Sequence, residues 1–82
     1  MFDVVKKAID KKDPVGLLVI GASRNEYDRE SREIASKISK NSDVDEIADI
    51  IANVFTCKFD GDFTKEIFIE TAYEIRESLD LM

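Results

Sequence analysis

Apolar residues recur at helical spacing in the second half of the chain, and this repeat limits the possible folds more than any other feature. Between residues 44 and 59 they follow one another mostly three or four positions apart. They are Val44, Ile47, Ala48, Ile51, Val54, Phe55 and Phe59. Such spacing places side chains along one face of an α-helix. The pattern predicts a long helix that buries this face against other helices.

Three further segments carry the same periodicity and predict three more helices. The first runs from Phe2 to about Lys12, the second starts near Asp28 and ends at Asn41-Ser42, and the last follows Thr64. Their apolar stripes are Phe2, Val5, Ala8 and Ile9; Ile34, Ala35 and Ile38; and Ile67, Phe68, Ala72, Ile75 and Leu79. Asp28, Ser42 and Thr64 are the predicted N-caps, because their side-chain oxygens can accept hydrogen bonds from amides of the first helical turn.

The stretch DPVGLLVIG, residues 13–21, interrupts the helical pattern. Asp13 should end the first helix, because a residue before proline is disfavoured in the α conformation. The same pair can also begin a helix, with Asp13 as N-cap and Pro14 at the first position. Residues 15–20 would then form a short apolar helix closed by Gly21. A β-strand over this run is the alternative, although the chain offers no second strand to pair with it.

These segments predict an all-α fold, a compact bundle of four main helices plus one short apolar helix after Asp13-Pro14. A chain of 82 residues corresponds to a single domain, residues 1–82. No apolar run approaches the roughly 18 residues of a membrane-spanning helix. The charged N-terminal segment also lacks the apolar core of a signal peptide. We therefore expect a cytoplasmic protein with no membrane partner.

The net charge of −6 is distributed unevenly along the chain. Residues 1–41 carry nine lysines and arginines against seven acids, a net +2, whereas residues 42–82 carry three against eleven, a net −8. An acidic protein repels phosphate backbones, so nucleic acid is not an expected partner. The acidic half is better suited to a basic protein.

The amino-acid composition argues against the common kinds of catalytic and metal site. There is no histidine, which removes the usual serine and cysteine triads. One cysteine without histidine cannot complete a zinc site. Cys57 lies near the edge of the longest apolar stripe, where we expect a structural role. The sequence predicts no enzyme activity, no catalytic residue, no metal and no cofactor.

Two groups of acids and one tyrosine are the candidate partner-binding residues. The first group is Asp43, Asp45, Glu46 and Asp49, and the second is Glu66, Glu70, Glu74 and Glu77. The first group also has a simpler explanation, because acids favour helix N-termini. The second could instead pair with the first helix through Lys6, Lys7, Lys11 or Lys12. Tyr27 could anchor a partner, or it could pack back onto the bundle beside the predicted cap.

A motif of eleven residues leads into the second predicted helix. Its members are Asp13, Pro14, Gly16, Leu17, Leu18, Gly21, Ala22, Glu26, Tyr27, Asp28 and Ile34. This motif resembles that of the YugE-like family of small bacterial proteins. Ser23 and Asn25 depart from the pattern, which has proline and an acid there. The resemblance implies a small helical protein without a known enzymatic activity, and proteins similar to it occur in toxin-immunity settings.

Two functional hypotheses follow. The first is a non-enzymatic acidic binding protein, most concretely an immunity or inhibitor protein that masks a basic toxin such as a nuclease. The second is a small structural or regulatory module, possibly a homodimer, in which Ile50, Ile69 and Leu81 pair across a two-fold axis.

Overall fold

Four α-helices and one turn of 3₁₀ helix are the helical elements of the residues that the structure describes. The computed structural model describes residues 1–14, 16, 21, 26–59 and 61–81. The helices are α1 (Phe2–Lys12), α2 (Asp28–Lys37), α3 (Val44–Phe59), the 3₁₀ helix (Lys65–Phe68) and α4 (Ile69–Asp80). The described residues contain no strand, and the predicted all-α bundle is confirmed. None of the described helices is long and apolar enough to cross a membrane.

The helices pack around one apolar core. α1 lies against α2 and α4, and α3 lies against α2, α4 and the 3₁₀ helix. The fully buried aliphatic side chains come from all four helices: Val5, Ile9, Ile34, Ile47, Ile51 and Ile75. Every one of them belongs to a predicted apolar stripe. Periodicity therefore identified the inner face of each helix correctly.

A cluster of aromatic rings joins α3 to the elements around it. The Phe55 ring is fully buried, and its centroid lies 5.4 Å from that of Phe59, 5.5 Å from Phe68 and 5.8 Å from both Tyr27 and Phe63. Four rings from four different parts of the chain thus meet one side chain. Phe55 therefore links α3 to the elements around it.

The connection between α2 and α3 differs from the prediction. α2 ends at Lys37, because residues 39–42 form a turn in which the Ser42 amide donates to the Ser39 carbonyl (3.1 Å). The Ser42 hydroxyl accepts from the Ser39 amide (3.0 Å) and is therefore not available to cap α3. Asp43 takes that role, since its carboxylate accepts from the Glu46 amide (2.8 Å). The N-cap predicted at Ser42 is wrong by one residue.

The other two predicted caps also differ from the structure. Asp28 is the first residue of α2, and Tyr27 occupies the cap position without a side-chain cap bond. Thr64 precedes the 3₁₀ helix rather than α4, and its side chain forms no cap bond. The tighter 3₁₀ turn changes which side chains face inward. Ile67, predicted to lie in the core, is consequently 41% exposed.

The segment after α1 begins with an unusual backbone conformation. Asp13 is the C-cap of α1 and lies in the left-handed region (φ 47°), which aspartate tolerates better than most residues. Pro14 lies in a turn and Gly16 has φ 74°, so no helix begins at Pro14. Gly21 also has a positive φ of 90°. The rest of the predicted short helix, and of its alternative strand, falls on residue 15 and residues 17–20, outside the described residues.

A hydrogen bond joins the two ends of the segment between α1 and α2. The Tyr27 hydroxyl donates to the Asp13 carboxylate at 2.6 Å. Tyr27→Phe keeps the buried ring and removes this bond, so we expect unfolding to require about 1–2 kcal/mol less free energy. Urea unfolding should show a lower midpoint with an unchanged slope.

Tyr73→Phe is the matched control for this substitution. Its ring is 55% exposed, and its hydroxyl has no hydrogen-bond partner among the described residues. The control should leave stability unchanged within about 0.5 kcal/mol. Equal effects of the two substitutions would show that the Tyr27 hydroxyl contributes nothing specific.

Candidate partner-binding surface

The acids predicted at the start of α3 divide into two kinds. Asp43 caps the helix, and Asp45 forms an ion pair with Lys65 of the 3₁₀ helix (2.9 Å). The hydrogen bond from Lys65 to Asp45, and then the attraction between their charges, raises the pKa of Lys65 above its ordinary value. Glu46 and Asp49 are exposed and form no ion pair within the described residues. Neither Glu46 nor Asp49 is held in a direct ion pair with a described residue, although Asp49 acts electrostatically on Lys65.

Of the glutamates of α4 that were predicted to pair with the lysines of α1, Glu74 forms a direct ion pair. Lys11 binds Glu74 at 2.9 Å, and this hydrogen bond, followed by the attraction of the charges, raises the pKa of Lys11. Lys6 points elsewhere, towards Asp10 (3.0 Å) and Asp28 (2.8 Å). Glu74 is thus engaged inside the molecule.

Five exposed carboxylates remain, and they form what we call the acidic surface. The members are Glu46, Asp49, Glu66, Glu70 and Glu77, none of which has an ion-pair partner in the part of the chain that the structure describes. Lys65 lies between α3 and the 3₁₀ helix, because Asp49 of α3 and Glu66 of the 3₁₀ helix both act electrostatically on it. Glu70 and Glu77 lie on α4 towards α1, where Glu70 acts electrostatically on Lys11 and Glu77 lines the space between α1 and α4. The structure therefore brings Asp49 and Glu66, one from each predicted acidic group, next to the same lysine.

Tyr27 does not belong to this surface. Its side chain has no exposed area, and its ring packs 5.8 Å from Phe55 and 6.4 Å from Phe59, centroid to centroid. Of the two alternatives predicted for Tyr27, the structure shows the one in which the side chain packs back onto the bundle, and a fully buried ring is not placed to anchor a partner. Its role is to pack the core and to bind Asp13.

The other tyrosine is the exposed one. Tyr73 lies on α4 and is 55% exposed. It follows Glu70 by three residues and precedes Glu77 by four, and residues at these separations are neighbours on a helix surface. The spacing of apolar residues in α4 is enough to predict that Tyr73 is exposed, because Tyr73 lies outside the buried stripe Phe68, Ala72, Ile75 and Leu79. The prediction from sequence considered only the inner face of α4 and did not include Tyr73 among the candidate residues.

The arginine of α4 is used to hold the fold together. One terminal nitrogen of Arg76 donates to the carbonyls of Lys40 (2.7 Å) and Ser42 (2.6 Å), and the other donates to the Asp80 carboxylate (2.7 Å). The guanidinium group is therefore committed to the turn before α3. It is not available to neutralise Glu70 or Glu77.

A groove of about 460 Å³ separates α1 from α4. It is lined by Asp3, Val4, Lys7, Ala8, Lys11, Glu74, Glu77 and Ser78. Lys7 and Lys11 stand on the α1 side, and Glu74 and Glu77 stand on the α4 side. Because the two signs of charge alternate across it, the groove does not select an anionic or a cationic ligand as the acidic surface does.

Two further sequence predictions concern reactive groups. Cys57 is exposed rather than at the core edge, because it lies on the outer side of α3. Within the described residues, no three His, Cys, Asp or Glu side chains are grouped so that they could hold a metal ion. The acidic surface is consequently the best-defined candidate for binding.

Comparisons with protein-family models, curated proteins and solved structures find no match to this chain. The resemblance to the YugE-like family stays a prediction. The proposed function therefore rests on the charge and exposure of the acidic surface.

Proposed function

We propose that the protein is a non-enzymatic binding protein whose acidic surface takes a basic protein partner. In its most concrete form it is a cytoplasmic immunity or inhibitor protein that masks a basic toxin, for example a nuclease. The observation that carries the proposal is the set of five exposed carboxylates on α3, the 3₁₀ helix and α4 that have no ion-pair partner among the described residues.

The electrostatics of this surface favour a cationic partner. Like charges three or four residues apart on a helix destabilise it by a few tenths of a kcal/mol per pair. A basic partner replaces this repulsion by attraction and reaches the surface faster, because opposite charges steer the encounter. Inhibition by masking requires only that the partner's basic site be covered. It requires no catalytic group on this chain.

A homodimeric module is the second candidate, and exposed apolar side chains support it. Leu81 is 88% exposed, whereas Ile50 and Ile69 are only half-buried and pack against the core. A two-fold contact through α4 would also bring Glu70 and Glu77 of one copy towards the same residues of the other. This repulsion makes the homodimer the less supported proposal. Sedimentation as a monomer at high concentration would contradict it.

Charge reversal tests the acidic surface directly. Asp49→Lys with Glu70→Lys reverses one acid on α3 and one on α4. Glu26→Lys with Asp62→Lys reverses two exposed acids that belong neither to the acidic surface nor to the groove between α1 and α4. Each double variant changes the net charge equally. Wild type and both variants are immobilised and exposed to native host lysate at low and moderate salt. The lysate proteins that they retain are identified, purified and tested for binding.

We expect wild type to retain one basic protein in a stoichiometric ratio. This protein should be released as the salt concentration rises. The surface variant should bind the purified partner about 10–100 times more weakly than wild type, with a flatter salt dependence. The control variant should bind within about threefold of wild type. Equal affinity of all three proteins, or loss of binding in both variants alike, would contradict the proposed surface.

A further inference from the structure

We propose that Tyr73 is the anchor of the acidic surface and binds an arginine side chain of the partner. In this arrangement Glu70 and Glu77 accept hydrogen bonds from the guanidinium group. The inference rests on the proposed function, because it names the chemical group that the acidic surface recognises.

The position of the three residues on α4 suits one planar cation. Residues three and four apart on a helix have Cβ atoms about 5–6 Å from each other. Tyr73 therefore has one carboxylate about one turn before it and another about one turn after it. A guanidinium group lying on the ring has a carboxylate on either side, and its donors point outward in the plane of the group.

The ring of Tyr73 is not used within the molecule. It is 55% exposed, and the described residues place neither a ring nor a cation over it. The nearest cation along α4, Arg76, is held by the carbonyls of Lys40 and Ser42. Elsewhere this chain does place a cation on a ring, since the Arg32 guanidinium lies 4.6 Å from the Phe2 centroid. Lys11 of α1 acts electrostatically on Glu70 but forms its ion pair with Glu74. Tyr73 is thus an exposed aromatic face beside two carboxylates that have no ion-pair partner among the described residues, and its complement is a cation from outside.

Arginine suits this position better than lysine. A guanidinium group is planar, stacks on an aromatic face and can donate to two carboxylates at once. An ammonium group is a compact and strongly hydrated charge, and it gains less from a ring. The site should therefore distinguish two partners that have the same charge.

Two synthetic peptides of equal length and charge serve as probes for this preference. Both are 12-residue alanine-based helices, one with four arginines and one with four lysines. The chain contains two tyrosines and no tryptophan. Tyr27→Phe consequently leaves Tyr73 as the only tyrosine fluorophore, so that its emission reports binding at the proposed site. Backbone amide chemical shifts of the unmodified protein provide an independent readout.

We expect the arginine peptide to bind about three to ten times more tightly than the lysine peptide at low salt. Tyr73→Leu should remove this preference and leave the weaker binding that charge alone provides. Tyr73→Phe should keep the preference, because the ring is retained.

Equal affinity for both peptides, or a preference that survives in Tyr73→Leu, would overturn the role of Tyr73. If both peptides bind wild type but do not bind the variant with Asp49→Lys and Glu70→Lys, the proposed function is still supported. If neither peptide binds wild type more tightly than this charge-reversed variant, the proposed function itself is contradicted. The two failures are thereby distinguished.

Discussion

Phe55→Ala is expected to lower the free energy of unfolding by about 3–5 kcal/mol. The Phe55 ring is fully buried, and four other aromatic rings lie within 5.8 Å of it, centroid to centroid. Alanine would remove contacts with all four and leave a cavity at the junction of α3 with its neighbours. A domain of 82 residues has a total stability of roughly 4–12 kcal/mol. The substitution should therefore remove a large part of it.

Urea unfolding followed by circular dichroism measures this loss. Tyr73→Ala is the matched control, because it truncates an aromatic side chain of the same protein at a position that is 55% exposed. The control should change the free energy of unfolding by about 0.5 kcal/mol or less. A loss below about 1 kcal/mol for Phe55→Ala would show that the aromatic cluster does not hold α3 in place.

Arg76→Ala should cost about 2–3 kcal/mol of unfolding free energy. The guanidinium group joins α4 to the turn before α3 through two carbonyls and also binds Asp80, and hydrogen bonds to charged groups are stronger than neutral ones. Arg76→Lys should recover only part of the loss, because one ammonium group cannot reproduce the forked geometry.

Thermal unfolding and amide hydrogen exchange test this role. Faster exchange in Arg76→Ala should be concentrated in residues 39–46, where the turn and the start of α3 lie. Arg29→Ala removes the same charge from an exposed position and should leave both stability and exchange unchanged. If both variants unfold at the same temperature as wild type, the Arg76 contacts contribute no stability.

The unpredicted polar contacts that join different parts of the fold link residues far apart in the chain. Lys6 binds Asp28 rather than a glutamate of α4, and Arg76 reaches the carbonyls of Lys40 and Ser42. A long charged side chain has several possible partners in a sequence. Only the relative positions of the helices decide which partner it reaches.

The sequence by itself determined the four main α-helices, the inner face of each, and the uneven charge that leaves α3 and α4 acidic. These properties depend on the spacing of apolar and charged residues along a single helix, and that spacing is local. The tertiary structure decided which tyrosine is buried. Tyr27 precedes α2 and packs against Phe55 and Phe59, whereas Tyr73 lies on the side of α4 that no other described helix covers. The sequence left open whether Tyr27 packs into the core or faces a partner, because burial depends on what packs against a side chain, and that is not encoded within one helix.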